Sequence, residues 1–309
     1  KIMDGGNALA PADAASILST AQSGAMYATY ITGTSGVLFS STHYYSLPHY
    51  SLRKINPVRT SAIITCPSFL GRDEKRGGIR GGKKIPQLMQ LTAQSGPAAP
   101  LIIAPDGDSA SASAEGINEW LSDKPGHSVP LWPLLPADQL DHYRRGAPDT
   151  EDFEQELRAV FGRLPDEPLP DLTGFEELLE FESPPGAYFD ASSLSIMSQQ
   201  SLTTMNRLDG DSLFDVRRFR PNLLVDIPDS DHPFPEQAWV GKTLSVGSVT
   251  LKIDMRCPRC AMTTHGFSDL PKDAQIMRKL VANSEGNLGI YASVVQAGNV
   301  TAGDSVSVV

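Results

Sequence analysis

Hydrophobic and polar positions alternate most cleanly over 249–255, where Val249, Leu251, Ile253 and Met255 are interleaved with Thr250, Lys252 and Asp254. A period of two sends successive side chains to opposite faces of an extended chain, so this segment is predicted to be a half-buried strand. The apolar run within 222–227 fits a buried strand, and 288–295 and 304–309 are expected to be closing strands. A period nearer 3.6 governs 151–163. There Phe153, Leu157, Val160 and Phe161 recur at i, i+4, i+7 and i+8 and predict an amphipathic helix. Its acidic first turn suits the partial positive charge of a helix N-terminus. Ile117, Trp120 and Leu121 predict a second helix over 113–123. Ser198 is placed to cap a third, carrying Leu202, Met205 and Leu208. A fourth is expected over 269–283, with Pro271 near its start and Ile276, Leu280 and Val281 on one side. The apolar runs 61–64, 88–91 and 101–104 are short, lie between glycines and basic turns, and read as short strands. Residues 1–50 show little periodicity and read as an irregular extension.

Pro165, Pro168 and Pro170, then Pro184 and Pro185, can neither continue a helix nor donate to a strand ladder. A domain boundary is expected within 165–186. At 309 residues the chain is long enough for two modest domains, each with its own core. Many short strands around a few helices predict a β-rich α+β architecture, a barrel being one form of it. No internal repeat is visible.

The formal net charge of −10 argues against general nucleic-acid binding. The charge is uneven. Arg53, Lys54, Arg59, Arg72, Lys75, Arg76, Arg80, Lys83 and Lys84 form a basic stretch, and 151–182 is acidic. Lys75, Arg76, Lys83 and Lys84 read as a solvated loop, and the acidic helix as a solvated face. Three cysteines, an odd number without framework spacing, point away from a disulfide scaffold and towards a reducing compartment. No apolar run approaches the roughly 20 residues of a membrane-spanning helix. The N-terminus has no signal-peptide core, and a cytoplasmic location without membrane attachment is the expectation.

Candidate chemistry concentrates at Cys257-Pro258-Arg259-Cys260, directly after the predicted strand. Thiolates bind soft metals and, at depressed pKa, carry out redox chemistry. Cys257-x2-Cys260-x4-His265 covers most of a zinc-knuckle pattern, but Leu270 stands where the fourth ligand belongs, and structural zinc takes four. A thioredoxin-type pair sits at a helix N-terminus, and Thr263, Thr264, His265 and Gly266 start a helix poorly. An iron–sulfur cluster usually needs four Cys or His ligands. The plainest reading is a pair of small apolar residues at a strand end. Arg256 and Arg259 beside them favour a thiolate and an anionic ligand.

Phe219-Arg220-Pro221-Asn222-Leu223-Leu224-Val225, Trp239-Val240-Gly241, Cys257-Pro258-Arg259-Cys260-Ala261-Met262-Thr263-Thr264 and Gly303-Asp304-Ser305-Val306 resemble, in this order and spacing, the MOSC family. That family is named for the C-terminal domain of molybdenum cofactor sulfurases. The resemblance covers about 180–309 and is nearest to the two-domain branch that includes the amidoxime-reducing component and bacterial relatives. It implies a MOSC-type β-barrel with flanking helices over 176–309 and a smaller N-terminal β-barrel-like domain over 51–175. It also implies a molybdenum pyranopterin cofactor with Cys260 as the metal thiolate. Cys257 is then a structural neighbour. A cofactor that brings its own dithiolene sulfurs needs no protein ligand at Leu270.

The same resemblance implies cofactor-holding roles for Arg220 and Asn222, for Ser192 as a small hydroxyl residue, for Arg259 beside the metal thiolate, and for Tyr291. Ala191 departs from the family pattern and removes one hydrogen bond. Asn56-Pro57-Val58-Arg59-Thr60 echoes the family's Tyr-Pro-Val-Lys-Ser opening and makes Arg59 and Thr60 candidate phosphate contacts. Gly71-Arg72-Asp73 resembles a rearranged Gly-Asp-Arg run and adds Arg72. Without the resemblance, Arg220 reads as a core-edge ion pair and Tyr291 as a packed strand tyrosine. The basic stretch would offset an anionic cofactor. The implied activity is reduction of N-hydroxylated or N-oxide compounds. With no cysteines to spare for a [2Fe–2S] cluster, electrons would come from a separate flavoprotein, ferredoxin or cytochrome-type donor, for which 149–182 is a possible dock. Two alternatives stay open: a sulfur or cofactor carrier using a Cys260 persulfide, and a zinc or redox module without molybdenum.

Overall fold

The computed structural model describes residues 81–309 apart from 95–100, 125, 127, 129, 132–134, 174, 176–179, 186–190, 193, 209–210, 228–229, 268 and 302. It also gives the backbone of short strands at 3–4, 7–8, 28–31, 37–38, 51–53, 71–72 and 79–80. The expected strand at 61–64 lies outside the described residues. The chain forms two compact units, one of residues 1–60, 192–257 and 288–309, the other of 61–191 and 258–287.

The first unit is built on a seven-stranded sheet in the order Val306–Val308, Thr243–Val246, Val249–Pro258, Asn287–Gln296, Leu194–Ser198, Leu223–Asp226 and Ser51–Arg53. The six strands from Leu194 onward make a nearly closed, barrel-like sheet with flanking helices, and the fold is a sheet-rich α+β. Alternation decides what is inside. Val249, Leu251 and Ile253 are wholly buried, and they join Leu194, Ile196, Val225, Leu244, Ile290 and Ala292 in one core. Each such aliphatic side chain contributes about 1.5–3 kcal/mol by leaving water.

Leu194–Ser198 and Leu223–Asp226 are parallel, with Ile196 opposite Leu223. A parallel pair needs a crossover, supplied here by the helices Gln199–Leu208 and Val216–Phe219. Ser198 caps the first as expected: the Ser201 N–H donates to its Oγ at 3.0 Å. Elsewhere in this unit Gly298–Thr301 pairs antiparallel with Ala28–Ile31.

The second unit contains an antiparallel sheet of Ser109–Ser111, Leu101–Ile103 and Thr92–Gln94. Its core holds Ile85, Leu88, Leu91, Ile102, Ala104 and Leu121, the last from the predicted helix, observed as Ile117–Asp123. The amphipathic helix is observed as Phe153–Phe161. Asp152 accepts the Gln155 N–H at its start, and Gly162 closes its end at φ 60.

Three expectations are corrected. The run 88–91 is no strand: Pro86–Gln90 is a 3-10 turn with Leu88 and Met89 buried, because proline at its head fixes φ for a helical turn. The last helix spans Gln275–Ser284 rather than beginning at 269. Pro271 pushes Leu270 towards extended backbone, and Phe267 and Leu270 exchange two 3.0 Å backbone hydrogen bonds ahead of the helix. Lys84 is not a solvated cation. It is 17% exposed and bonds Asp149 at 2.7 Å and Glu156 at 2.5 Å. Much of the acidic stretch is likewise spent internally, on Arg144–Glu180, Arg145–Glu182 and Arg278–Glu167 pairs. Among the described residues no helix is long and apolar enough to cross a membrane.

Candidate functional site

The strand Val249–Pro258 carries its alternation to the end. Cys257 is in phase with Val249, Leu251 and Ile253, and is fully buried. It behaves as a core side chain. Cys260 differs. It is partly exposed, lies in extended backbone (φ −104°, ψ 175°), and precedes the 3-10 turn Ala261–Thr264. The paired threonines lock that turn: Thr263 donates its N–H at 3.2 Å and its Oγ1 at 3.0 Å to the Cys260 carbonyl, and Thr264 Oγ1 donates to the Ala261 carbonyl at 2.7 Å. Arg259 is 7% exposed, and its backbone N–H donates to the Gly286 carbonyl at 2.9 Å. Gly162 packs on Ala261: a Cβ at Gly162 would stand 3.6 Å from the Ala261 Cα.

His265 is half-buried. Burial holds its pKa below the ordinary 6.5, Lys272 adds to the depression, and a hydrogen bond to the Gly82 backbone opposes it. Among the described residues no group of three or more His, Cys, Asp or Glu side chains is placed to hold a metal ion. A protein-only zinc site at Cys257, Cys260 and His265 therefore has no ligand set there.

Three of the expected cofactor residues in the first unit gather around the strand Leu194–Ser198. Asn222 Oδ1 accepts the Ser195 N–H at 2.7 Å, and the Asn222 N–H donates to the Ser195 carbonyl at 2.8 Å. Tyr291, 9% exposed, stands directly opposite Ser195 in the antiparallel ladder. Ser192 Oγ lies 3.4 Å from the carbonyls of both Leu194 and Ala292. Arg220 ends the helix Val216–Phe219 in the left-handed region, at φ 52° and ψ 47°. That conformation is uncommon for a residue with a Cβ, and it puts the arginine at the turn leading into Leu223–Asp226. Arg59 and Thr60 lie outside the described residues. Arg72 belongs to the strand Gly71–Arg72, paired with Ile79–Arg80.

Two polar residues at these places carry no motif. Ser195 is buried, and among the described residues its Oγ has no hydrogen-bond partner. A serine at an otherwise apolar strand position, between Leu194 and Ile196, was the only signal for it. Arg163 is 6% exposed, and its position after the helix-ending Gly162 gave no hint that it turns inward.

A family model described as "MOSC domain" matches residues 185–307. Mitochondrial amidoxime reducing component 2 of Macaca fascicularis is 37% identical over 39% of this chain and 38% of that one. The Homo sapiens protein of the same name is 36% identical over the same shares. The chain thus spans about two fifths of the length of these curated relatives. Among solved structures, YiiM from Geobacillus stearothermophilus is matched over 38% of this chain and 54% of that one, at 13% identity and a TM-score of 0.29, a likeness too slight to bear on fold or function. The ordered motifs, the barrel-like sheet and the family match agree in making residues 185–307 similar to MOSC domains.

Proposed function

We propose that the chain binds a molybdenum pyranopterin cofactor through Cys260 and reduces N-hydroxylated or N-oxide compounds, with electrons from a separate donor protein. The observation that carries this reading is the asymmetry of the cysteine pair. Cys257 is consumed by the core, while Cys260 is reachable on a turn that its own carbonyl and two threonines hold in place. A lone soft thiolate suits a metal that arrives with other sulfur ligands. The unanswered Ser195 hydroxyl, beside Asn222 and Tyr291, fits a polar ligand on that face of the sheet.

In this reading Cys260 is the metal thiolate and Arg259 contributes positive charge next to it. Arg220 offers a planar fork of donors to phosphate or pterin oxygens. Asn222 spends Oδ1 on Ser195 and leaves Nδ2 for the ligand. Ser192 and Tyr291 supply hydroxyls, and Arg59, Thr60 and Arg72 are the remaining contacts of this reading. When bound, the cofactor supplies two-electron redox chemistry. The overall reaction consumes two electrons and two protons, breaks the N–O bond, and releases the oxygen as water.

Protein made in a host able to assemble the cofactor should contain about one molybdenum per chain, and Cys260→Ser should lose it. Zinc in its place, or no metal, overturns the reading. Amidoxime reduction with an artificial electron donor then separates reductase from carrier. Loaded protein that does not turn over but carries a labelled persulfide on Cys260 would favour the carrier.

A further inference from the structure

Arg163 follows Gly162, and its side chain turns into the interior of the second unit. One guanidinium nitrogen is answered: Nη1 lies 3.0 Å from Met277 Sδ. Nε and Nη2 are shut off from water, and among the described residues they have no hydrogen-bond partner. These two nitrogens form one edge of the planar group. Their parallel N–H bonds match two oxygens of a single oxyanion.

The charge is answered only through space, by Glu167, and by no direct ion pair among the described residues. Glu167 is held by Arg278 and also accepts the Leu164 N–H at 2.8 Å. Arg158 spends Nη1 on the carbonyls of Leu164 and Glu167, at 2.6 and 2.8 Å. Burial pulls the Arg163 pKa below its ordinary value. Glu167 works against that shift and Arg278 with it. Folded chains rarely bury a cation without a partner, and such a group calls for a missing acceptor.

Its location is specific. The guanidinium lies against Gly286: a Cβ there would fall 1.9 Å from Nη2 and 2.5 Å from Cζ. The carbonyl of Gly286 holds the Arg259 N–H, and Gly162 packs on Ala261. Arg163 is thus linked through Gly286 and Gly162 to the residues on both sides of Cys260.

We propose that the free edge of Arg163 is an anion-receiving site beside Cys260 that takes a phosphate-type oxyanion. Resting on the cofactor reading, that anion is the cofactor's terminal phosphate, and inorganic phosphate is the other source of the same chemistry. Gly286 makes the site possible, since any side chain there displaces the guanidinium.

Two measurements test this on the full chain. In the first, cofactor-free protein is titrated with inorganic phosphate at constant ionic strength, and the melting temperature is followed. Wild type is expected to shift upward. R163M and G286A, checked for folding by circular dichroism, should not shift, and R163K should shift partly. In the second, protein from a cofactor-assembling host is oxidised and its pterin is measured by fluorescence. R163M is expected to retain about tenfold less than wild type if the anion belongs to the cofactor. Equal pterin with a lost phosphate shift assigns the site to a free anion. A folded R163M that matches wild type in both measurements overturns the proposal. Wild type that contains no pterin yet shows the phosphate shift sinks the cofactor reading and leaves Arg163 standing.

Discussion

Arg220 and Glu285 are the non-glycine residues at positive φ among the described residues. Only Arg220 belongs to the expected site. A Cβ in the left-handed region costs roughly 1–2 kcal/mol. Such strain persists where the surrounding structure insists on it, often at a site that needs the side chain. Arg220→Gly and Arg220→Ala both remove the guanidinium, but only glycine relieves the backbone. The glycine variant should be more stable than the alanine variant by about 1 kcal/mol in urea unfolding. Both should lose cofactor alike. Equal stabilities would show that the turn is unstrained.

His265 gives a pH test at the same scale. Its folded pKa lies below the ordinary 6.5, so below that pH the unfolded chain takes up a proton that the folded chain refuses. Stability therefore falls as pH drops through 6.5 towards the folded value. His265→Gln should flatten the fall, as measured by unfolding between neutral and mildly acidic pH.

Among elements, the crossover helix Gln199–Leu208 depends on a carboxylate that no pattern revealed. Glu236 is completely buried; Ser198 Oγ donates to it at 2.6 Å and Ser201 Oγ at 2.6 and 2.8 Å. The carboxylate sits at the positive end of the helix and satisfies the hydroxyls of its first turn. Glu236→Ala removes the buried acceptor that both hydroxyls share and should destabilise the chain by about 3 kcal/mol, whereas Ser201→Ala should cost nearer 1 kcal/mol. Elements of this kind mark the limit of what was legible. The alternation at 249–255, the spacing of Phe153, Leu157, Val160 and Phe161, and the cap at Ser198 were local signals, and the structure keeps them. Lys84, Glu236 and Arg163 were not legible, because their partners lie 65, 35 and 114 residues away. The run 88–91 and the start of the last helix failed for a local reason: Pro86 and Pro271 outweighed the apolar spacing.

At the scale of the whole molecule, the motif-bearing part of the sequence is not a self-sufficient piece. The family match begins at 185, yet residues 258–287, with Cys260 among them, belong to the unit otherwise made by 61–191. The partners of that segment come from upstream. Arg278 bonds the Gly162 carbonyl and Glu167, Arg163 lies on Gly286 and Met277, and a Cβ on Gly82 would come within 3.0 Å of Met262. A ten-residue helix such as Gln275–Ser284 is marginal without tertiary support. A fragment of residues 185–309 should therefore keep slow amide exchange in Leu194–Ser198 and Thr243–Val246, while 261–284 should exchange nearly as fast as unfolded chain. It should also hold no metal, because the segment that carries the Cys260 turn loses the upstream contacts that place it. Full protection of 275–284 in the fragment would show that these residues fold without the upstream segment. In that case the cysteine turn owes its order to the family-matched portion alone.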